Sequence, residues 1–179
     1  MSAVNADIAA LIRTIPDFPK PGIQFRDITT LLLDGKGLAT TIARLSALHS
    51  GPVDLVAGIE ARGFIFGAAV AHALGAGLLL IRKDGKLPGA TIAVDYALEY
   101  GQDRIAMHAD AFVLGARILL VDDLIATGGT ARAAVRLMRK AGADVVGASF
   151  VIDLPDLGGA EALRGDGVPV RALVSFEGD

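Results

Sequence analysis

Apolar positions recur at two different periods along the 179 residues. Between Gly37 and His49 they fall at Leu38, Ile42, Leu45 and Leu48, one face of a helix that Gly51-Pro52 closes. Val53 to Ile59 is short and mostly apolar, as a buried strand is. Gly63 to Ile81 is a 19-residue run without a formal charge, long enough to cross a bilayer core. Gly63, Gly67, Gly75 and Gly77 interrupt that run and His72 sits within it, so it reads as a buried helix, Arg62 to Leu74, and a strand, Leu78 to Arg82. Thr91 to Tyr100 and Arg104 to His108 flank Gly101-Gln102-Asp103, which predicts a hairpin or extended flap. Ala116 to Val121 is the clearest strand. Thr130 to Ala141 is the clearest helix, closed by Gly142, and Val145 to Ile152 and Val168 to Val174 supply two more strands.

The N-terminal stretch is less regular. Asp7 to Arg13 predicts a short helix. Ile15 to Asp27 then holds three of the seven prolines and two of the seven phenylalanines, and reads as an irregular segment. A wrapped arm and a ligand cover fit that segment equally well. Strand–helix–strand repetition with near-continuous apolar strands predicts an α/β domain, a mostly parallel sheet flanked by helices on both faces. No linker or internal repeat divides residues 1–179, so one domain is expected, with ligands beyond the carboxyl ends of its strands.

Composition narrows the chemistry. A net charge of −3 gives no bulk attraction to nucleic acid or anionic lipid, so neither is an expected partner and any phosphate site must be local. With no Cys and three scattered His, thiolate zinc sites, Cys nucleophiles and disulfides drop out. Met-Ser-Ala-Val-Asn-Ala-Asp lacks a basic n-region and an apolar core, which predicts a cytoplasmic chain.

The most informative stretch runs from Leu119 to Ala131. An apolar strand delivers Asp122 and Asp123 at its end, and the small residues Ala126, Thr127, Gly128 and Gly129 then lead into a helix at Thr130. Gly-Gly lets the backbone approach a ligand, while amides and hydroxyls converge at a helix N-terminus, so the segment forms a cup for a phosphate monoester. No Lys follows the glycines, which argues against a nucleoside triphosphate. Two acids beside that cup suit vicinal hydroxyls, the layout of a ribose 5-phosphate.

Val121 to Thr130 resembles the phosphoribosyl-diphosphate motif of the type I phosphoribosyltransferases. Phe18 to Ile28, Gly58 to Gly67, Arg82 to Gly89, Leu98 to Gly101 and Phe150 to Gly159 extend the resemblance over nearly the whole chain, to the adenine-specific branch. The resemblance implies that fold, with residues 1–34 as a hood over the base. It implies transfer of the phosphoribosyl group from 5-phosphoribosyl 1-diphosphate to N9 of adenine, giving AMP and diphosphate. Departure of the diphosphate calls for Mg²⁺, carried mainly by substrate oxygens and water, and for fixed cations, here Arg62, Arg82, Lys83 and Lys86. The Glu60-Ala61 peptide is expected to be cis by resemblance. Glu99, on the flap, is expected to handle the purine proton. Phe25 is expected to stack on adenine, with backbone groups of Gln24 and Arg26 reading its amino edge.

A non-catalytic sensor of the same diphosphate sugar would need a DNA-binding extension or a basic face, and neither is evident here. A 6-oxopurine transferase is the other alternative, which the Phe25-Arg26 arm disfavours. Aliphatic content is high, with mean hydropathy +0.53 and only 5% aromatics. This excess predicts a homodimer, and the resemblance implies the same, with the Arg82–Lys86 loop near the subunit interface.

Overall fold

The computed structural model describes residues 5–97 and 102–178. Elements follow in the order α1 (Ala6–Ala9), β1 (Arg13–Pro16), β2 (Gln24–Asp27), α2 (Thr29–Leu33), α3 (Gly35–Ala47), β3 (Leu55–Ile59), α4 (Gly63–Leu74) and β4 (Gly77–Lys83). Next come β5 (Thr91–Ala97), β6 (Gln102–His108), β7 (Arg117–Ile125), α5 (Gly129–Lys140), β8 (Asp144–Asp153), a 3-10 turn (Pro155–Leu157), α6 (Gly159–Gly165) and β9 (Val170–Ser175).

Seven strands form one sheet in the order β5-β6-β4-β3-β7-β8-β9. The five from β4 to β9 run parallel, and the β5-β6 hairpin adds an antiparallel edge. Alternate residues of each central strand feed different cores. Ala57 and Ile59 of β3, with Ile118 and Leu120 of β7, pack beneath α5 and α6. Val56, Leu119 and Val121 face α3 and α4 on the other side. This period-2 division is why the strands read as continuous apolar runs.

The charge-free run from Gly63 to Ile81 divides as expected into α4 and β4, and Gly75 caps α4 with φ +65°. Among the described residues no helix is long and apolar enough to cross a membrane.

Two expectations fail. The N-terminal helix stops at Ala9, and Arg13–Pro16 pairs antiparallel with Gln24–Asp27 to make a separate two-stranded sheet. The prolines therefore shape the connection of a hairpin whose flanks are extended, with Phe18-Pro19 cis. Asp27 fixes the end of this hairpin. It accepts from the Thr29 amide (2.9 Å), the Thr29 hydroxyl (2.7 Å) and Arg13 Nε (3.1 Å). The Thr29 amide first, and then Arg13, lower its carboxyl from the ordinary 3.8 to about 2.

Strand β7 is also longer than its apolar run. It continues through both acids to Ile125, with Asp122 opposite Phe150 and Leu124 opposite Ile152 of β8. β3 ends at Ile59, and its last partner on β7 is Val121. Asp122 to Ile125 thus project beyond the end of β3. That step in the sheet edge leaves an opening at the carboxyl ends of the strands, where α4 begins.

Candidate active site

The opening is a cavity of about 260 Å³, lined by Ile59 to Arg62 from the β3–α4 turn and by Asp122 to Ala131 from β7 and the start of α5. Ala126, Thr127, Gly128, Gly129 and Thr130 all lie in its wall. The amides of the first turn of α5 have no partners within the helix and face this space.

The cup is held from behind by α6. Gly159 donates from its amide to the Ala126 carbonyl at 3.0 Å. A Cβ at Gly159 would stand 2.2 Å from that oxygen and 2.5 Å from the Gly128 nitrogen. Gly128 has φ +79°, and a Cβ there would stand 2.9 Å from Gly159. The glycines therefore serve backbone-to-backbone packing as well as close approach of a ligand.

The two acids behave differently. Asp122 Oδ1 accepts from the Asp123 amide at 2.9 Å and turns toward the start of α4, where a Cβ on Gly63 would meet it at 2.6 Å. Burial, and next the neighbouring Asp123 charge, push the Asp122 carboxyl well above the usual carboxylate range. Asp123 is buried, and its Oδ2 lies 2.9 Å from Arg62 Nε as an ion pair. Among the described residues no aligned hydrogen bond satisfies that buried oxygen, which leaves the Arg62 charge to balance it.

Arg62 also lines a second, mostly apolar cavity of about 470 Å³, with Arg13, Ile15, Phe18, Phe25, Asp27, Ile28 and Thr29. The Phe25 ring meets Phe18 edge-on at 5.2 Å, and the Arg62 guanidinium lies 5.7 Å from its centre. Gln24 and Arg26 flank Phe25 on β2. Because β2 pairs only with β1 among the described residues, its other edge has no strand partner.

The structure does not bring Arg82, Lys83 or Lys86 into the wall of the phosphate cavity. Arg82 donates from Nε and Nη2 to Glu60 at 3.2 and 2.8 Å, and from Nη1 to the Lys86 carbonyl at 2.8 Å. Hydrogen bonding to Arg82 holds the Glu60 carboxyl below its ordinary range. Lys83 Nζ lies 3.1 Å from Asp103 Oδ2, which also accepts from the Tyr96 hydroxyl at 3.2 Å. The Glu60-Ala61 peptide is cis. Glu99 falls outside the described residues. The partners of Glu60, Asp103 and Gly159 were not foreseen from the sequence, although Glu60 and Gly159 stand inside the quoted motifs. Their signal was present, but partner and direction were not.

Residues 28–162 match the family described as phosphoribosyl transferase domain. The adenine phosphoribosyltransferase of Azorhizobium caulinodans is 60% identical over 173 residues, 96% of this chain and 97% of that protein. The one from a Bradyrhizobium species (strain BTAi1) is 61% identical over 175 residues, 97% of this chain and 98% of that protein. Among solved structures, the adenine phosphoribosyltransferase of Thermoanaerobacter pseudethanolicus superposes with a TM-score of 0.91 at 45% identity, covering 96% of this chain and 99% of that one. The Saccharomyces cerevisiae enzyme, solved with an imino-altritol bisphosphate and adenine, gives 0.87 at 32% identity, covering 97% of this chain and 100% of that one.

Gly159→Ala tests how the cup is held. The added methyl collides with backbone rather than a movable side chain, so the Ala126–Gly128 loop must shift. Thermal unfolding should show a loss of about 1–3 kcal/mol, and affinity for a phosphate monoester should fall. Unchanged affinity would show that α6 does not shape the cup.

Proposed function

The chain belongs to the phosphoribosyl transferase family, and from that premise we infer that it transfers the phosphoribosyl group of 5-phosphoribosyl 1-diphosphate to N9 of adenine. The products are AMP and diphosphate, a purine-salvage reaction. One observation carries this reading beyond family: Arg62 lines both cavities, so a phosphate cup and an aromatic base site share a wall.

The residues take roles that suit this chemistry. Thr127, Thr130 and the amides around Gly128 and Gly129, with Ala126 in the same loop, hold the 5-phosphate. Asp122 and Asp123, which line the same cavity, accept from the ribose hydroxyls. The C1–O bond to diphosphate breaks as the C1–N9 bond forms, and the ribose passes through oxocarbenium character that nearby carboxylates stabilise. Arg62 faces the departing charge. Arg82, Lys83 and Lys86 form an outer set of cations; Arg82 and Lys83 exchange carboxylate partners for diphosphate oxygens when the substrate binds. Phe25 stacks on adenine, and the open edge of β2 presents Gln24 and Arg26 backbone groups to its amino edge. A 6-oxopurine would leave such groups mismatched and unpaired. Residues 1–34 act as the hood over the base within one domain spanning 1–179. Glu99 accepts the proton from N9.

Magnesium fits this donor set as a companion of the substrate. Among the described residues no group of three His, Asp or Glu side chains converges on one point. A hard cation held by diphosphate oxygens and water needs no such cage. Glu60, Asp122 and Asp123 line the cavity and are the carboxylates that would face such an ion. When bound, Mg²⁺ neutralises charge on the departing diphosphate. A membrane-impermeant diphosphate substrate and a chain without Cys suit the cytoplasm.

A second copy of this chain is the proposed partner. Leu78 and Leu80 of β4 and Ile65 of α4 are each about two-fifths exposed, on the strand that ends in Arg82 and Lys83. Covering them between subunits would place the Arg82–Lys86 loop at the interface. Sedimentation at micromolar concentration should give a dimer, and Leu80→Glu should give a monomer. A monomeric wild type would contradict the proposal.

Diphosphate release with phosphoribosyl diphosphate, Mg²⁺ and each purine in turn tests the reaction. Adenine should support turnover and hypoxanthine, guanine and xanthine should not. In the same assay Glu99→Gln should lower kcat by about 10²-fold or more, with AMP affinity within a few-fold. Turnover on a 6-oxopurine instead would overturn the specificity, and normal kcat in the variant would remove Glu99 from the proton step.

A further inference from the structure

The strand that carries Phe25 is fastened to the far end of the chain by a contact outside both cavities. The Arg26 guanidinium lies over the Phe176 ring, 4.6 Å from its centre. Nη1 donates to the Thr14 hydroxyl at 2.6 Å and Nη2 to the Glu177 carbonyl at 3.3 Å. Nε is buried and has no partner among the described residues. Burial also lowers the guanidinium from its ordinary proton affinity. An unpaired buried donor is costly, and a fold retains one where the placement of the group matters for something else. A flat aromatic face is where a guanidinium gives up water with least loss.

Phe176 is itself anchored. Its amide donates to the Asp153 carbonyl at the end of β8, at 3.1 Å. Two residues on, the Gly178 amide donates to Asp156 Oδ2 at 2.7 Å. The tail is thus tied to the carboxyl end of the central sheet, whereas β2 belongs to the separate two-stranded sheet. Successive side chains on a strand point to opposite faces. Phe25 meets Arg62 on the cavity side, and Arg26 meets Phe176 on the other.

We propose that Arg26 and Phe176 are positioning residues for the purine: their stacking sets β2 at the height at which its backbone and Phe25 meet the base. This rests on the assignment of the arm to adenine, and it adds a specific role for the C-terminal segment. Neither Arg26 nor Phe176 lines the cavity assigned to the phosphate and ribose, so loss of the stack should be felt by one substrate alone.

The test is steady-state kinetics with adenine and phosphoribosyl diphosphate varied separately. Phe176→Leu keeps apolar volume and removes the aromatic face. It should raise KM for adenine about tenfold, with KM for phosphoribosyl diphosphate and kcat within about twofold. Phe176→Tyr restores the face and should match the wild type. Arg26→Lys keeps charge without the plane and should reproduce the Leu effect, which covers the case of a Phe176→Leu chain that does not fold. An unchanged adenine KM in both Phe176→Leu and Arg26→Lys, or a parallel rise for both substrates, overturns the proposal. Phe25→Ala separates the two layers: if it too leaves adenine KM unchanged, the arm assignment itself fails.

Discussion

A carboxylate buried at the edge of a parallel sheet must be paired, and the Asp123–Arg62 contact meets that constraint here. Asp123 sits on the part of β7 that runs past the end of β3, where no strand on that side covers it. Arg62 is at the turn where β3 becomes α4, so its charge comes from the neighbouring strand of the same sheet. Removing Arg62 would leave the buried Asp123 carboxylate without its counter-charge, which is strongly unfavourable, whereas Arg62 is half exposed and keeps its access to water without Asp123. Because Arg62 lines both cavities, the pair ties the opening at the end of β7 to the apolar cavity around Phe25.

The remaining cations follow a related rule. Arg82 is held by Glu60 and Lys83 by Asp103, each carboxylate on a different element from its cation. A chain with net charge −3 thus holds Arg62, Arg82 and Lys83 each against a carboxylate of its own. On the proposed reaction, substrate binding would be an exchange of counter-ions, with diphosphate taking the place of carboxylates that the fold already supplies.

Much of this was legible in the sequence, and the gaps have physical causes. Helices α4 and α5 and strands β4 and β8 were readable because period and terminator agree, as at Gly75 and Gly142, both with positive φ. The β1–β2 hairpin was not readable. Its strands have four residues each, too few to show a period of two, and prolines dominate the connection between them. The extension of β7 was hidden for another reason: two acids look like the end of a strand, yet pairing with β8 carries the backbone to Ile125. Site residues in contiguous motifs, from Asp122 to Thr130, came together as expected. Arg82, Lys83 and Lys86 did not, because sequence gives residue type and neighbourhood but not which carboxylate a long side chain will reach.

If this ion pair organises the site, Arg62 and Asp123 act there as one unit. A double-mutant cycle on kcat/KM for phosphoribosyl diphosphate, with Arg62→Gln, Asp123→Asn and the combination, measures it directly. The double variant should lose at least about tenfold less than the product of the single losses. Losses that multiply within about twofold would contradict it, showing that the two residues act independently.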